Sequence, residues 1–258
     1  LVGLAFKVSA VPFHMWTPDV YEGAPTAITA FFAIVPKLAG IVLIYRFCLE
    51  PFGKFVDEWR QIIIFLSIAS MFVGSIAAII QKNLKRLLAY SSIGHIGYLL
   101  IGLASANFEG IKGLIIYVTI YLLMNIGIFS IILSLKIKND YVESLNDLSG
   151  MSKKNPIFSL CIAIVMISLA GIPPFAGFFG KFYIFIAAIE SGLIYLAILG
   201  VLASVISAYY YLRIIKIMYF EESQFVYQIN LSRIGTIILF LSVIAISLFI
   251  VYPSFLID

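Results

Sequence analysis

Apolar runs long enough to cross a membrane recur along the whole chain, and this feature limits the possible fold more than any other. A helix needs roughly 20 residues to cross about 30 Å of hydrocarbon. The runs show no alternation of period two, so they favour helices that satisfy their own backbone hydrogen bonds over a β-barrel. We expect about eight spans, the first of them incomplete, at 1–15, 24–47, 61–81, 85–104, 111–135, 156–190, 192–217 and 233–256.

The composition excludes a water-soluble fold. Hydrophobic residues make up 62% of the chain and charged residues only 12%, against about 25% charged in soluble domains. The net charge of +4 is spread over short connections, so no nucleic-acid partner is expected. The sequence therefore predicts an all-α polytopic membrane protein, a single transmembrane domain over residues 1–258 with lipid around it.

Several classes of chemistry find no support in the sequence. Cys48 and Cys161 lie in apolar runs without a CxxC motif, which is typical of buried, inert thiols. No pattern for nucleophilic catalysis, a phosphate loop, a nicotinamide or flavin fold, haem or an iron–sulfur cluster is present, so we expect no cofactor and no metal in this chain. The first apolar run, Leu1–Val11, is too short to span, which suggests a fragment whose N-terminal helices are missing or encoded separately.

The basic residues predict an orientation. Successive loops of a membrane protein lie on alternate sides of the membrane. The loops on one side carry ten basic residues, and the loops on the other side carry four. By the positive-inside rule the richer set lies in the cytoplasm or its equivalent, and the C-terminus, Asp258, lies on the far side. The richer set is Lys82, Lys85, Arg86, Lys136, Lys138, Lys153, Lys154, Arg213, Lys216 and Arg233, and the poorer set is Arg46, Lys54, Arg60 and Lys112.

Three lysines remain inside the predicted spans: Lys7, Lys37 and Lys181. An ionisable side chain at membrane depth costs roughly 3 kcal/mol or more and marks a functional site by default. Lys37 lies about ten residues, or roughly 15 Å, from either end of its span, which is too deep for the ammonium to snorkel to the interface. All thirteen acidic residues fall in loops or at span ends. Either these lysines work by changing protonation, or their acidic partner lies in a missing segment.

Prolines near these lysines predict interrupted helices at Pro12 and at 173–174, and a kink at Pro36 that frees a carbonyl near Lys37. Pro12 follows Lys7, Pro36 precedes Lys37, and the segment 171–177, Gly-Ile-Pro-Pro-Phe-Ala-Gly, interrupts the run that carries Lys181. Proline removes a backbone donor and clashes with the preceding turn. Broken helices at membrane depth line polar cavities, as they do in transporters. The pattern indicates transport.

The two histidines are predicted to play different roles. His95 lies in the middle of the span 85–104 among serines, tyrosines and glycines. A histidine can accept a proton on one ring nitrogen and release it from the other. His95 is therefore either a proton relay or a hydrogen-bonded packing residue. His14, in the segment 12–19, is expected to lie at the interface with a structural role.

Four segments resemble the antiporter-like membrane subunits of respiratory complex I. They are residues 6–26, the tripeptide Val35-Pro-Lys37, residues 85–95 and residues 171–181, and the resemblance runs along essentially the whole chain. It implies a fourteen-helix fold with two inverted repeats and broken helices seven and twelve, of which this chain looks like helices seven to fourteen.

The resemblance also implies roles for individual residues. Lys7, Lys37, His95 and Lys181 match the proton-relay positions of broken helix seven, helix eight, helix ten and broken helix twelve. The family's helix-five glutamate, the ion-pair partner of Lys7, has no counterpart in this sequence. The chain alone is therefore not expected to pump protons.

The implied function is redox-coupled proton translocation by a proton-pumping NADH-quinone oxidoreductase. NADH, FMN, iron–sulfur clusters and quinone then belong to other subunits. The implied partners are the other membrane subunits of complex I, especially neighbouring antiporter-like subunits, and the implied location is the bacterial inner membrane rather than the mitochondrial one. Two alternatives stay open: a subunit of a multisubunit sodium/proton antiporter, and a structural remnant that only braces the membrane arm.

Overall fold

The computed structural model describes residues 1–137, 140–222, 227–229 and 233–249, and these residues are mostly helical. Lys138, Asp258 and residues 250–256 of the last predicted span lie outside the described residues. The helices are α1 (Val2–Val8), α2 (Trp16–Gly23), α3 (Thr26–Leu49), α4 (Val56–Ile79), α5 (Leu84–Ser105), α6 (Phe108–Ser134), α7 (Met151–Lys154), α8 (Pro156–Ala170), α9 (Ala176–Glu190), α10 (Ile194–Phe220) and α11 (Arg233–Leu248).

Five helices in the described part of the chain are long and apolar enough to cross a membrane. They are α3, α4 with the 3₁₀ turn that precedes it, α5, α6 and α10, and they correspond to the predicted spans 24–47, 61–81, 85–104, 111–135 and 192–217. The helices α8 and α11 are apolar but shorter. The all-α membrane fold is thus confirmed.

Helix α5 forms the centre of the bundle, because almost every one of its residues is buried. Its most extensive packing is against α4, where small residues let the two backbones approach closely. A Cβ atom added to Gly74 of α4 would lie 2.6 Å from the backbone nitrogen of Gly94 and 2.8 Å from the carbonyl oxygen of Tyr90. The contact between the two helices therefore requires glycine at position 74.

We expect Gly74→Ala to lower the free energy of unfolding by about 1–3 kcal/mol, the usual cost of overpacking. The matched control is Gly94→Ala in the same interface, where an added Cβ meets nothing within 4 Å. Alanine there is expected to be neutral or slightly stabilising, because it favours the helix. Thermal unfolding in detergent measures both, and equal melting temperatures for the two variants would contradict the packing described.

The predicted break in the run 156–190 is confirmed. Helix α8 ends at Ala170, Gly171 adopts the left-handed conformation with φ 80°, and α9 begins at Ala176. The backbone N–H of Gly177 donates to the hydroxyl of Ser168 at 3.0 Å, which ties the start of α9 to the last turns of α8.

The N-terminal prediction needs correction. Residues 1–15 do not form one continuous partial helix: α1 ends at Val8, Ser9 takes a left-handed conformation with φ 67°, and Pro12 follows, so the interruption predicted beside Lys7 is present. The predicted loop 16–23 is instead helix α2. Lys7 is exposed in the described structure, because the short α1 turns Ala5 and Val8 inward and leaves Lys7 on its other side.

A short antiparallel sheet occupies part of the predicted loop 136–155. Strand β1 (Leu135–Ile137) pairs with β2 (Asp140–Tyr141) and with β3 (Tyr227–Ile229) in the order β2-β1-β3. Lys136 is opposite Tyr141 on one side and opposite Gln228 on the other. Strands this short cannot show an alternating pattern, so the sequence did not predict them.

Contacts between the basic loops confirm that they gather at one end of the bundle. Arg86 pairs with Asp19 at 2.7 Å and with Glu22 at 2.8 Å. Arg213 donates to the carbonyl oxygen of Gln81 at 3.4 Å. Lys85, predicted as a loop residue, is buried there and paired with Glu143 at 3.2 Å.

Candidate functional site

The candidate site is built on one face of α5. Ser92, His95 and an additional tyrosine, Tyr98, follow one another three residues apart, so each side chain lies next to the following one along one side of the helix. All three are buried, with exposed fractions of 3% or less. Lysines from two other helices approach this face from either end.

Lys37 reaches the first of these residues from α3. It is 1% exposed, and its Nζ donates to the hydroxyl oxygen of Ser92. That hydroxyl donates in turn to the carbonyl oxygen of Ala89 at 2.6 Å, which leaves its lone pairs for the ammonium. The ring of Tyr21 lies 5.3 Å from Nζ. Helix α3 runs unbroken through Pro36 and places Lys37 deep in the bundle.

His95 has a hydroxyl partner on each ring nitrogen. Nδ1 lies 2.7 Å from the hydroxyl of Tyr117 on α6, and Nε2 lies 3.0 Å from the hydroxyl of Tyr211 on α10. The Tyr211 hydroxyl also shares a hydrogen bond with Ser91. Because hydroxyls both donate and accept, either tautomer of the ring is satisfied. A proton can thus enter at one nitrogen and leave from the other.

Lys181 occupies the far end of the face, beside the break between α8 and α9. Its Nζ donates to the carbonyl oxygen of Ala170 at 2.8 Å and to the hydroxyl of Ser204 at 2.9 Å. The same ammonium lies 4.7 Å from the centre of the Tyr98 ring. The carbonyl at the helix break, which also accepts from the Ser204 hydroxyl at 3.3 Å, therefore serves as an acceptor for the lysine.

Gly171 supplies the space for that lysine. A Cβ atom at this position would lie 2.7 Å from Cδ of Lys181 and 3.0 Å from its Nζ. The glycine is required twice, for its positive φ and for the room it leaves.

No carboxylate pairs with Lys37 or Lys181 among the described residues. The ion pairs found there lie at helix ends and in loops: Arg46–Glu50, Arg60–Asp57, Lys85–Glu143, Arg86–Asp19 and Arg86–Glu22. Lys37 and Lys181 are held by hydroxyls, a carbonyl and aromatic faces instead, which solvate an ammonium without neutralising it. Such an environment suits a group that cycles between the charged and neutral states.

The structure brings together three of the four residues singled out from the sequence. Lys37, His95 and Lys181 line one face of α5, whereas Lys7 lies on α1 and its described contacts reach none of the three. His14 is partly buried in the turn before α2, away from this face.

The histidine partners Tyr117 and Tyr211, and the lysine partner Ser204, were missed by the sequence analysis. Each comes from a helix distant in sequence, 22 to 116 residues from the group it contacts. In the sequence, these three residues are marked only by a hydroxyl group in the middle of an apolar span. Many other serines and tyrosines share that feature, so it does not single them out.

The comparison of the whole chain with known proteins agrees with this geometry. Long apolar helices, two shorter ones that meet at a break beside a buried lysine, and a lysine–histidine–lysine series along a central helix define an antiporter-like transmembrane bundle. The chain belongs to the NADH:quinone oxidoreductase/Mrp antiporter transmembrane family, whose model matches residues 1–207.

Curated relatives match over the full chain. It is 53% identical over 258 residues to NADH-quinone oxidoreductase subunit N of Rhodospirillum rubrum, covering 100% of this chain and 53% of that protein. It is 55% identical over 260 aligned residues to the subunit N of Pelagibacter ubique, covering 100% of this chain and 55% of that protein. The chain thus spans about half the length of the curated relatives it matches.

Solved structures share the fold. The chain superposes on a chain of respiratory complex I from Thermus thermophilus with bound aureothin with a TM-score of 0.85 at 32% identity, covering 99% of this chain and 56% of that one. It also superposes on the Mrp complex from Dietzia sp. with a TM-score of 0.74 at 28% identity, covering 85% of this chain and 41% of that one.

Proposed function

We propose that this chain forms part of the proton-pumping membrane arm of an NADH-quinone oxidoreductase, where it corresponds to subunit N. One observation carries the proposal: Lys37 and Lys181, both buried and without a carboxylate partner in the part of the chain that the structure describes, lie at either end of a helix face that holds a doubly hydrogen-bonded histidine. Identities of 53–55% to subunits of that name support it. The lysine that follows the segment 173–180, Pro-Pro-Phe-Ala-Gly-Phe-Phe-Gly, also resembles the subunit N pattern.

The proposed mechanism uses charge to move protons along this face. A buried lysine binds its proton more tightly when a neighbouring positive charge leaves, and it releases the proton when that charge returns. Lys37 accepts a proton, His95 passes it between its two hydroxyl partners, and Lys181 releases it at the helix break. Waters bridge the gaps that direct hydrogen bonds do not close. We include Lys7 in the relay on the family resemblance alone.

The proposal extends to topology, location and partners. Helices α8 and α9 have 15 residues each, or about 22 Å. Because each is shorter than the roughly 30 Å of hydrocarbon, we count the two together as one broken span. With α11 and the α1 segment this gives about eight spans. We place the chain in a bacterial inner membrane, next to other antiporter-like subunits of complex I. NADH, FMN, iron–sulfur clusters and quinone are bound by other subunits.

A sodium/proton antiporter subunit is the second candidate, since the Mrp complex shares the fold. The two are distinguished by the assembly that contains the chain and by the coupling ion. Co-purification with NADH-oxidising subunits and proton uptake that does not depend on sodium support the first candidate. Sodium-dependent proton exchange without NADH oxidation supports the second.

His95→Ala tests the relay within the assembled enzyme. We expect proton uptake into sealed vesicles along the path through this chain to fall by about a hundredfold, the lower end of what a positioned acid–base group contributes. NADH oxidation by an artificial electron acceptor is expected to continue, because that chemistry belongs to other subunits.

His14→Ala is the matched control for this experiment. It removes the other imidazole of the chain, which lies off the relay face, so it is expected to disturb packing and leave proton uptake nearly unchanged. Equal losses of proton uptake in the two variants, at equal amounts of assembled enzyme, would remove His95 from the relay.

A further inference from the structure

A polar crevice lies beside the C-terminal end of α10, at the end of the bundle where the basic loops gather. The crevice encloses about 410 Å³ and is lined by Asn146, Tyr209, Leu212, Arg213, Lys216, Ile217 and Glu221. It holds two cationic side chains, three residues apart on one helix face. None of these residues takes part in the proposed relay.

The charges in this crevice favour an anion. Nη1 of Arg213 donates to the carbonyl oxygens of Ile79 at 3.0 Å and Gln81 at 3.4 Å, which fixes the guanidinium. No other acceptor for this side chain is found among the described residues, so its remaining N–H groups can donate to a ligand. Lys216 is exposed and has no ion-pair or hydrogen-bond partner among the described residues. The carboxylate of Glu221 accepts a hydrogen bond from Ser149 at 3.2 Å. The crevice therefore contains two positive charges and one negative charge, and the negative charge already accepts a hydrogen bond.

An apolar stripe continues from the crevice along the same face of α10. Val201, Val205, Tyr209 and Leu212 follow at helical spacing, and Val205 and Tyr209 are 68% and 59% exposed. The stripe leads to a second cavity of about 330 Å³ between α9 and α10, which is walled by phenylalanines of α9 and has Lys181 in its lining.

We propose that this face of α10 is a binding site for an anionic phospholipid. The phosphate binds Arg213 and Lys216, as basic pockets between membrane helices bind lipid headgroups. One acyl chain lies along the stripe and fills the apolar cavity. Residues 201 and 213 are about 18 Å apart along the helix, close to the roughly 15 Å of one hydrocarbon leaflet. The acyl chain then closes the lipid-facing side of the cavity that contains Lys181.

The test measures lipid retention by the full chain, purified in detergent, in native mass spectrometry. Phosphatidylglycerol and phosphatidylcholine with identical acyl chains are the probes, and we expect phosphatidylglycerol to be retained several-fold more. Lys216→Gln is expected to weaken phosphatidylglycerol binding about fivefold, the contribution of one basic residue near a charged headgroup. Arg233→Gln is the matched control, since it removes one exposed positive charge at the same end from α11, which packs on α6, α8 and α9.

Val205→Trp tests the acyl-chain part of the site without changing any charge. Because it fills the apolar cavity, it is expected to weaken retention of both lipids. Millimolar inorganic phosphate is expected not to displace phosphatidylglycerol. Equal retention of the two lipids, equal effects of Lys216→Gln and Arg233→Gln, or displacement by inorganic phosphate would each overturn the proposal. These readouts do not involve proton transport, so they are independent of the proposed relay.

Discussion

Replacing Lys37 by alanine is expected to reduce proton uptake by the assembled enzyme about a hundredfold along the path through this chain. Lys37→Arg is expected to have nearly the same effect, because a guanidinium stays protonated and cannot cycle. Arginine also brings a wide planar group into a site where Nζ already contacts Ser92 within a closed interior. Proton uptake into sealed vesicles, measured per NADH oxidised, gives the result.

Lys54 provides the control for both substitutions. It is an exposed lysine in the 3₁₀ turn Gly53–Phe55, so Lys54→Ala and Lys54→Arg are expected to leave proton uptake unchanged. Electron entry from NADH is expected to persist in all four variants. Unchanged proton uptake in both Lys37 variants would remove this lysine from the proton path.

The second large effect is expected from Gly171→Val. Its side chain must enter the space that Cδ and Nζ of Lys181 occupy, so the ammonium loses its hydrogen bonds to Ala170 and Ser204. We expect proton uptake to fall about as far as in Lys181→Ala. The left-handed conformation at position 171 adds a stability loss of about 1–2 kcal/mol.

Gly192→Val is the control that separates the displacement of Lys181 from the backbone strain. Gly192 has nearly the same positive φ, 77°, but an added Cβ there meets nothing within 4 Å. It is expected to lose similar stability in thermal unfolding while keeping proton uptake. Loss of proton uptake in both variants would mean that backbone strain, and not the position of Lys181, explains the effect.

The sequence predicted those parts of the structure that depend on local pattern. Long apolar runs located the five long helices, and the proline pair at 173–174 predicted the break that ends α8. The depth of Lys37 followed from its distance to both ends of α3. In each case the physical cause lies within one segment of the chain.

Features that depend on which helices meet were not predictable from one sequence. Tyr117 and Tyr211 reach His95 from two other helices, and nothing local distinguishes them from the other tyrosines in apolar spans. The exposure of Lys7 depends on which side of α1 packs against α3, and α1 is too short to show an amphipathic pattern. The burial of Lys85 depends on Glu143, 58 residues away in the numbering.

The central claim is that His95 and Lys181 act in one continuous path for protons. A double-mutant cycle tests it most directly, with His95→Ala, Lys181→Ala and the double variant compared for proton uptake in sealed vesicles. If the two residues act in series, the double variant is no slower than the slower single variant, because one block already closes the path. If the two losses multiply, the residues act independently and the proposed single path is wrong.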